Sequence, residues 1–138
     1  MGYVEPTDGL SEELAGAITD VARLLIREGV HVNRTALSVL ATLRSGPRRI
    51  TDLAAGEFIS QPGMTSLVSR LEDEGWVVRQ PDASDGRVVN VAITKKGIST
   101  LDKAITARSK ALRKRIERLG PKERKALADA VEALRLLT

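Results

Sequence analysis

The sequence predicts a mainly α fold with a small β-hairpin (α+β), and three observations carry that expectation. Apolar residues recur at three- and four-residue intervals along most of the 138 residues. Glycine or proline interrupts this periodicity at Gly29, Gly46-Pro47, Gly75 and Gly120-Pro121. A single stretch departs from it, where β-branched Val77-Val78 and Val88-Val89-Asn90-Val91-Ala92-Ile93 flank the turn residues Pro81, Asp82, Ser84, Asp85 and Gly86.

Taken in order, the first helix is expected from Ser11, a good cap, to Glu28, with Leu14, Ile18, Val21, Leu24 and Leu25 as its apolar stripe. A second begins near Thr35, places Leu37, Val39, Leu40 and Leu43 on one side, and stops at Gly46-Pro47. The third is short, from Thr51 or Asp52 to about Glu57, with an acidic first turn that suits the helix dipole. Phe58-Ile59 makes a tight turn, and Ser60 caps a fourth helix that runs to Gly75-Trp76.

In that fourth helix Met64, Leu67, Val68 and Leu71 recur on one face. The opposite face carries Gln61, Thr65, Ser66 and Ser69, small polar side chains where a merely solvated helix tends to carry Lys, Glu and Arg. Two short helices joined by such a turn match a helix-turn-helix, whose second helix offers its N-terminal residues to base edges in the major groove. An ordinary helical hairpin is the alternative for that pattern alone. The hairpin that follows argues against it, because Arg79 and Arg87 sit on or beside a polar tip, where a guanidinium enters a narrow minor groove or holds phosphates. The expected reader is therefore a winged helix-turn-helix over residues 34–97.

Thr94 should cap a long helix from Lys95, with Ile98, Leu101, Ile105, Leu112, Ile116 and Leu119 as buried positions. Gly120-Pro121 starts a last helix with an apolar seam of Leu127, Val131, Leu134, Leu136 and Leu137. At about 1.5 Å per residue the long helix exceeds roughly 30 Å, more than one small reader can cover. The expected solution is a homodimer whose platform is made by residues 1–33 and 98–138, through Leu14, Ile18, Leu112, Ile116, Leu127, Val131, Leu134 and Leu137.

Charge agrees with a polyanionic partner. The net charge is +4, divided as −4 over residues 1–33, +2 over 34–97 and +6 over 98–138. The run Arg108-Ser109-Lys110-Ala111-Leu112-Arg113-Lys114-Arg115 is read as a solvated face meeting acidic residues of the first helix, with DNA contact as the alternative. Tyr3, Phe58 and Trp76 are the only aromatic residues, so the core must be aliphatic. Trp76 is read as a core residue, with the lining of an effector pocket as the alternative.

Other classes fare poorly. Cysteine is absent and His31, between two valines, is the sole histidine, so thiol redox sensing and zinc-type sites are not expected, and no cofactor is. Neither a nucleophile-histidine pair nor a phosphate-cradling glycine loop marks an enzyme. No apolar run approaches the roughly 20 residues that span a bilayer, and a cytoplasmic, nucleoid-associated protein is expected. A winged helix that binds protein would call for an apolar or acidic exposed face. Nonspecific architectural coating of DNA is the nearest rival.

Gly46-Pro47, Asp52-Leu53-Ala54, Ser60-Gln61-Pro62, Thr65, Arg70-Leu71-Glu72, Gly75-Trp76-Val77, Arg79, Asp85-Gly86-Arg87 and Thr94-Lys95-Lys96-Gly97 together resemble the MarR family of bacterial winged-helix regulators, over about Arg34 to Leu101. The resemblance implies a homodimeric repressor, less often an activator, that binds palindromic double-stranded DNA operators and is commonly released by a small, often aromatic or phenolic, effector. It places Ser60, Gln61, Pro62, Gly63, Met64, Thr65, Ser66, Ser69 and Arg70 of the recognition helix, and Arg79, Asp85, Gly86 and Arg87 of the wing, at the DNA. Asp85 resembles the wing aspartate that orients an arginine, and Arg70 is expected to pair with it. Arg48, Arg49 and Thr51 are candidate phosphate contacts. The sequence departs from the family's pattern at Ser66, where many members carry a base-contacting arginine, at Gly63 in the helix's first turn, and at Glu57-Phe58 in the turn.

Overall fold

The computed structural model describes residues 7–28 and 32–138; Tyr3, Gly29 and His31 lie outside the described residues. The elements run α1 (Thr7–Arg27), α2 (Arg34–Arg44), β1 (Arg48–Arg49), α3 (Ile50–Gly56), α4 (Gln61–Asp73), β2 (Val77–Pro81), β3 (Val89–Ile93), α5 (Lys95–Ile116) and α6 (Pro121–Arg135). They fall into two compact units, one of described residues within 31–106 and one of those within 1–30 and 107–138.

The first unit holds the aliphatic core. Asn33 starts α2 by accepting hydrogen bonds from the amides of Thr35 and Ala36. That helix buries Leu37, Val39, Leu40 and Leu43, which share the interior with Leu53 and Ala54 of α3 and with Met64, Leu67, Val68 and Leu71 of α4. At such positions a Leu→Ala change costs about 2 to 5 kcal/mol. Val77 and Val91 close the core from the sheet and Leu101 from α5. Among the described residues no polar side chain is buried, and no buried side-chain polar atom lacks a partner. An exposed ion pair between Arg44 of α2 and Asp102 of α5 adds about 0 to 1 kcal/mol.

The sheet has three antiparallel strands in the order β1-β3-β2. Strand β3 is central, with Arg48 opposite Val91 and Arg49 opposite Asn90 on one side, and Val77 opposite Ile93 through Pro81 opposite Val89 on the other. Pro81, which has no amide to donate, sits at the end of an edge strand. The sequence predicts a two-stranded hairpin; β1 adds a third strand, and its two arginines carry no strand signal of their own.

In the second unit α1 begins at Thr7, and Ser11 is not its cap: the Ser11 hydroxyl donates back to the Thr7 carbonyl at 2.7 Å inside the helix. Leu14, Leu24 and Leu25 are half-buried, whereas Ile18 and Val21 are exposed. On α6 the whole seam of Leu127, Val131, Leu134, with Leu136 and Leu137 just beyond, is exposed in the single chain. The expectation for α5 is corrected in part. Its buried positions are Gly97, Leu101, Ala104 and Ala111, while Ile98, Ile105, Ile116 and the following Leu119 are exposed and Leu112 is half-buried. Spacing identified an apolar stripe, but a single chain covers the row of small residues beside it. Arg115 of α5 donates to Glu28 at 2.5 Å, one acidic partner from the α1 segment for the basic run, and Arg113 pairs with Glu117 one turn on. No described helix is long and apolar enough to cross a membrane.

Candidate nucleic-acid interface

Helix α4 is started by Ser60, whose hydroxyl oxygen accepts from the Gly63 amide at 3.1 Å, with Pro62 in the first turn. A side chain at 63 would crowd that hydroxyl, since a Cβ there would stand 3.1 Å from it. Gly63 therefore serves the cap. The burial of Met64, Leu67, Val68 and Leu71 fixes the rotation of the helix, and Gln61, Pro62, Gly63, Thr65, Ser66 and Arg70 are left exposed. Met64, expected at the DNA, is fully buried and is corrected to a core residue: it stands in the 64-67-68-71 row that faces the interior.

The C-terminus of α4 closes on Gly75 at φ +78°, with the Gly75 amide on the Glu72 carbonyl and the Trp76 amide on the Leu71 carbonyl, both at 2.9 Å. This left-handed cap turns the chain directly into β2. Trp76 is half-buried there.

Arg79 was expected on or beside the wing tip. It lies instead on β2, where its guanidinium donates to Glu72 at 3.0 Å and to the Ser69 hydroxyl at 3.2 Å. That pair ties the first wing strand to the recognition helix, and it accounts for the half-burial of Ser69. Arg70 does not reach Asp85. The Asp85 carboxylate accepts from the Arg87 amide at 3.1 Å and from its Nε at 3.3 Å, so it is occupied by its own wing neighbour, and Arg70 stands exposed.

Asp82 organises the wing turn. Its carboxylate accepts from the Ser84 hydroxyl at 2.5 Å, the Ser84 amide at 2.8 Å, the Asp85 amide at 3.3 Å and the Asn90 side-chain amide at 3.0 Å. The Ser84 hydroxyl and amide, then Asn90 and Asp85, hold this carboxyl well below the usual carboxylate range against the opposing effect of burial. Arg49 of β1 approaches the same carboxylate at 3.7 Å, so one of the candidate phosphate contacts is partly engaged within the protein. Arg48 donates to the Gly46 and Pro47 carbonyls, at 3.2 and 2.9 Å, and Thr51 is exposed in the first turn of α3. Gly86 is exposed at the turn, and Arg87 beside it projects into solvent with 93% of its side chain exposed.

Asp82 and Asn90 shape the wing without being among the site residues expected from the sequence. An aspartate two residues before a serine in a turn is the local signal for Asp82; the Asn90 contact depends on strand register and has none.

The arrangement is a polar helix face and a protruding arginine on one compact unit. It matches known proteins. Residues 32–88 fit the model of the MarR family. An HTH-type transcriptional regulator of Mycobacterium leprae is 31% identical over 128 residues, covering 91% of this chain and 90% of that protein. A transcriptional regulator of Pseudomonas aeruginosa has a similar structure, with a TM-score of 0.82, 26% identity and 97% of each chain covered. The fold is also that of BpsR of Bordetella bronchiseptica, whose DNA binding is regulated by 6-hydroxynicotinic acid (TM-score 0.66, 18% identity, 97% and 98% covered). These relatives are regulators and not enzymes, and the chain belongs to the MarR family of winged helix-turn-helix transcriptional regulators.

Proposed function

We propose that the protein is a homodimeric repressor that reads a palindromic operator and is released by a small aromatic or phenolic effector. One observation carries the DNA-reading part: α4 buries its apolar row and leaves Gln61, Thr65 and Ser66 exposed near its capped N-terminus, on the same unit as the protruding Arg87. The helix dipole favours phosphate at that end. Hydroxyl and amide side chains there exchange hydrogen bonds with base edges, while Arg87 supplies a salt-dependent contact in the minor groove or on phosphate.

The dimer is supported by the apolar seam of α6 and by Ile18 and Ile116, which one chain leaves exposed. Two reading heads on a twofold axis fit half-sites about 34 to 36 Å apart. Effector release is supported by the behaviour of BpsR and by linkage: a ligand that prefers one arrangement of the dimer weakens DNA binding by its differential affinity.

The test is selection of bound fragments from genomic DNA by the purified protein at two salt concentrations. Recovery of a common inverted repeat at both concentrations is the expected result. Recovery of unrelated fragments, lost together as salt rises, would assign the protein to architectural coating instead.

A further inference from the structure

The chain makes the same left-handed helix cap twice within 18 residues. At the end of α4 the position with positive φ is Gly75. At the end of α3 it is Phe58, at φ +55°, with its amide on the Ala55 carbonyl at 3.3 Å and the Ile59 amide on the Ala54 carbonyl at 3.1 Å. Glycine is the residue this position favours, and a bulky side chain is strained there. Phe58 is moreover 96% exposed, so among the described residues its ring gains no packing to offset that strain. The turn itself is anchored, because Glu57 beside it accepts a hydrogen bond from Ser38 of α2. A strained backbone holding a bare aromatic ring is the kind of outlier that points to function.

We propose that Phe58 is an apolar DNA contact at the edge of the major groove, meeting thymine 5-methyl groups or the deoxyribose face beside the recognition helix. The proposal rests on the DNA-reading function above. Phe58 is three residues before Gln61, so its Cα lies within about 11 Å of the first residue of α4. The exposed ring thus stands on the turn that leads directly into the N-terminal end of α4, within reach of a duplex held there. Phenylalanine is among the side chains that contact the thymine methyl, and neither groove edge nor sugar demands a hydrogen-bond donor from it.

The experiment compares the full-length wild type with Phe58→Gly and Phe58→Leu on a duplex selected by the wild type, at two salt concentrations. Phe58→Gly should bind about tenfold more weakly at both, with an unchanged salt slope, because no charge is lost. Its thermal midpoint should not fall, since glycine relieves the turn. Phe58→Leu should recover most of the affinity. A glycine variant that binds like the wild type, or a leucine variant as weak as the glycine one, would overturn the proposal. Replacing thymine by uracil identifies the partner: an effect of Phe58→Gly that disappears on the uracil duplex assigns the methyl groups, and one that persists assigns the sugar face. Failure of the wild type to bind any duplex would sink the regulator reading itself, a result distinct from equal binding by wild type and variant.

Discussion

Gly97 lies directly beneath the carbonyl of Trp76: a Cβ at 97 would stand 2.1 Å from that oxygen and 2.8 Å from Cγ1 of Ile93. The same carbonyl accepts the Thr94 amide at 3.0 Å, and the Thr94 hydroxyl bridges the Gly75 carbonyl, at 2.6 Å, to the Gly97 amide, at 3.0 Å. The end of α4, the root of the wing and the start of α5 are thus locked at one point. Neither backbone nor strand can withdraw without breaking that set of bonds. Gly97→Ala should destabilise the reader unit by about 2 to 3 kcal/mol, measured by urea unfolding. Stability equal to the wild type would mean that the junction is slack.

Two wing arginines have different expected roles. Arg79 is held by Glu72 and Ser69, whereas among the described residues Arg87 meets the neighbouring Asp85 alone and 93% of its side chain is in solvent. Arg87→Ala should weaken binding to many DNA sequences alike and reduce the salt slope by about 1. Arg79→Ala should lower affinity less than Arg87→Ala and leave the slope nearly unchanged, with a stability loss of about 0 to 1 kcal/mol. Gln61→Ala and Thr65→Ala should change which sequences are preferred. Anisotropy titrations on matched and mismatched duplexes separate these patterns, and equal effects of all four variants on every sequence would contradict the assignment.

Helix α4 was legible because its signals are local: Ser60 to cap it, four apolar residues on one face and Gly75 to stop it. The wing was legible from its turn residues. Strand β1 was not, since Arg48-Arg49 becomes a strand only by pairing with Val91 and Asn90, about 40 residues away. Met64 was assigned to both the core and the DNA, and periodicity alone favoured the core. Arg70 was paired by resemblance and Arg79 was put beside the tip from the hairpin's residues. Which carboxylate an arginine meets depends on rotamers and strand register, and the short reach to Glu72 decided Arg79. The stripes of α5 and α6 were read correctly as apolar, but burial within one chain did not follow from that.

Asp82 makes wing order dependent on acid. Its folded pKa is depressed, so the carboxylate contributes stability that is present above the unfolded value of about 3.9 and is lost as pH falls below it toward the folded value. Asp82→Asn keeps the size of the side chain but removes this charge. Between pH 5 and 3 the wild type should lose stability more steeply than Asp82→Asn, read from denaturant midpoints. At pH 7 the variant should bind DNA more weakly, because the amide nitrogen that replaces one carboxylate oxygen cannot accept from the Asn90 side chain or pair with Arg49, and the neutral oxygen left for Ser84 and Asp85 is a weaker acceptor. Parallel pH profiles for the two proteins would remove Asp82 from this role.

The proposed dimer seam gives the last prediction. Leu127, Val131 and Leu134 follow one another at four and three residues on α6 and are exposed in the single chain, so a charge there meets no core of its own chain. Leu134→Glu should leave helix content by circular dichroism unchanged, yet shift the protein from dimer to monomer in sedimentation equilibrium. Loss of the second reading head removes an intramolecular binding event with an effective concentration in the millimolar range, so operator affinity should fall at least about a hundredfold. A half-site duplex, which engages one head only, should be bound about equally by both proteins. A variant that stays dimeric, or a wild type that is monomeric and binds the full operator no better than the half-site, would show that this seam does not join two chains.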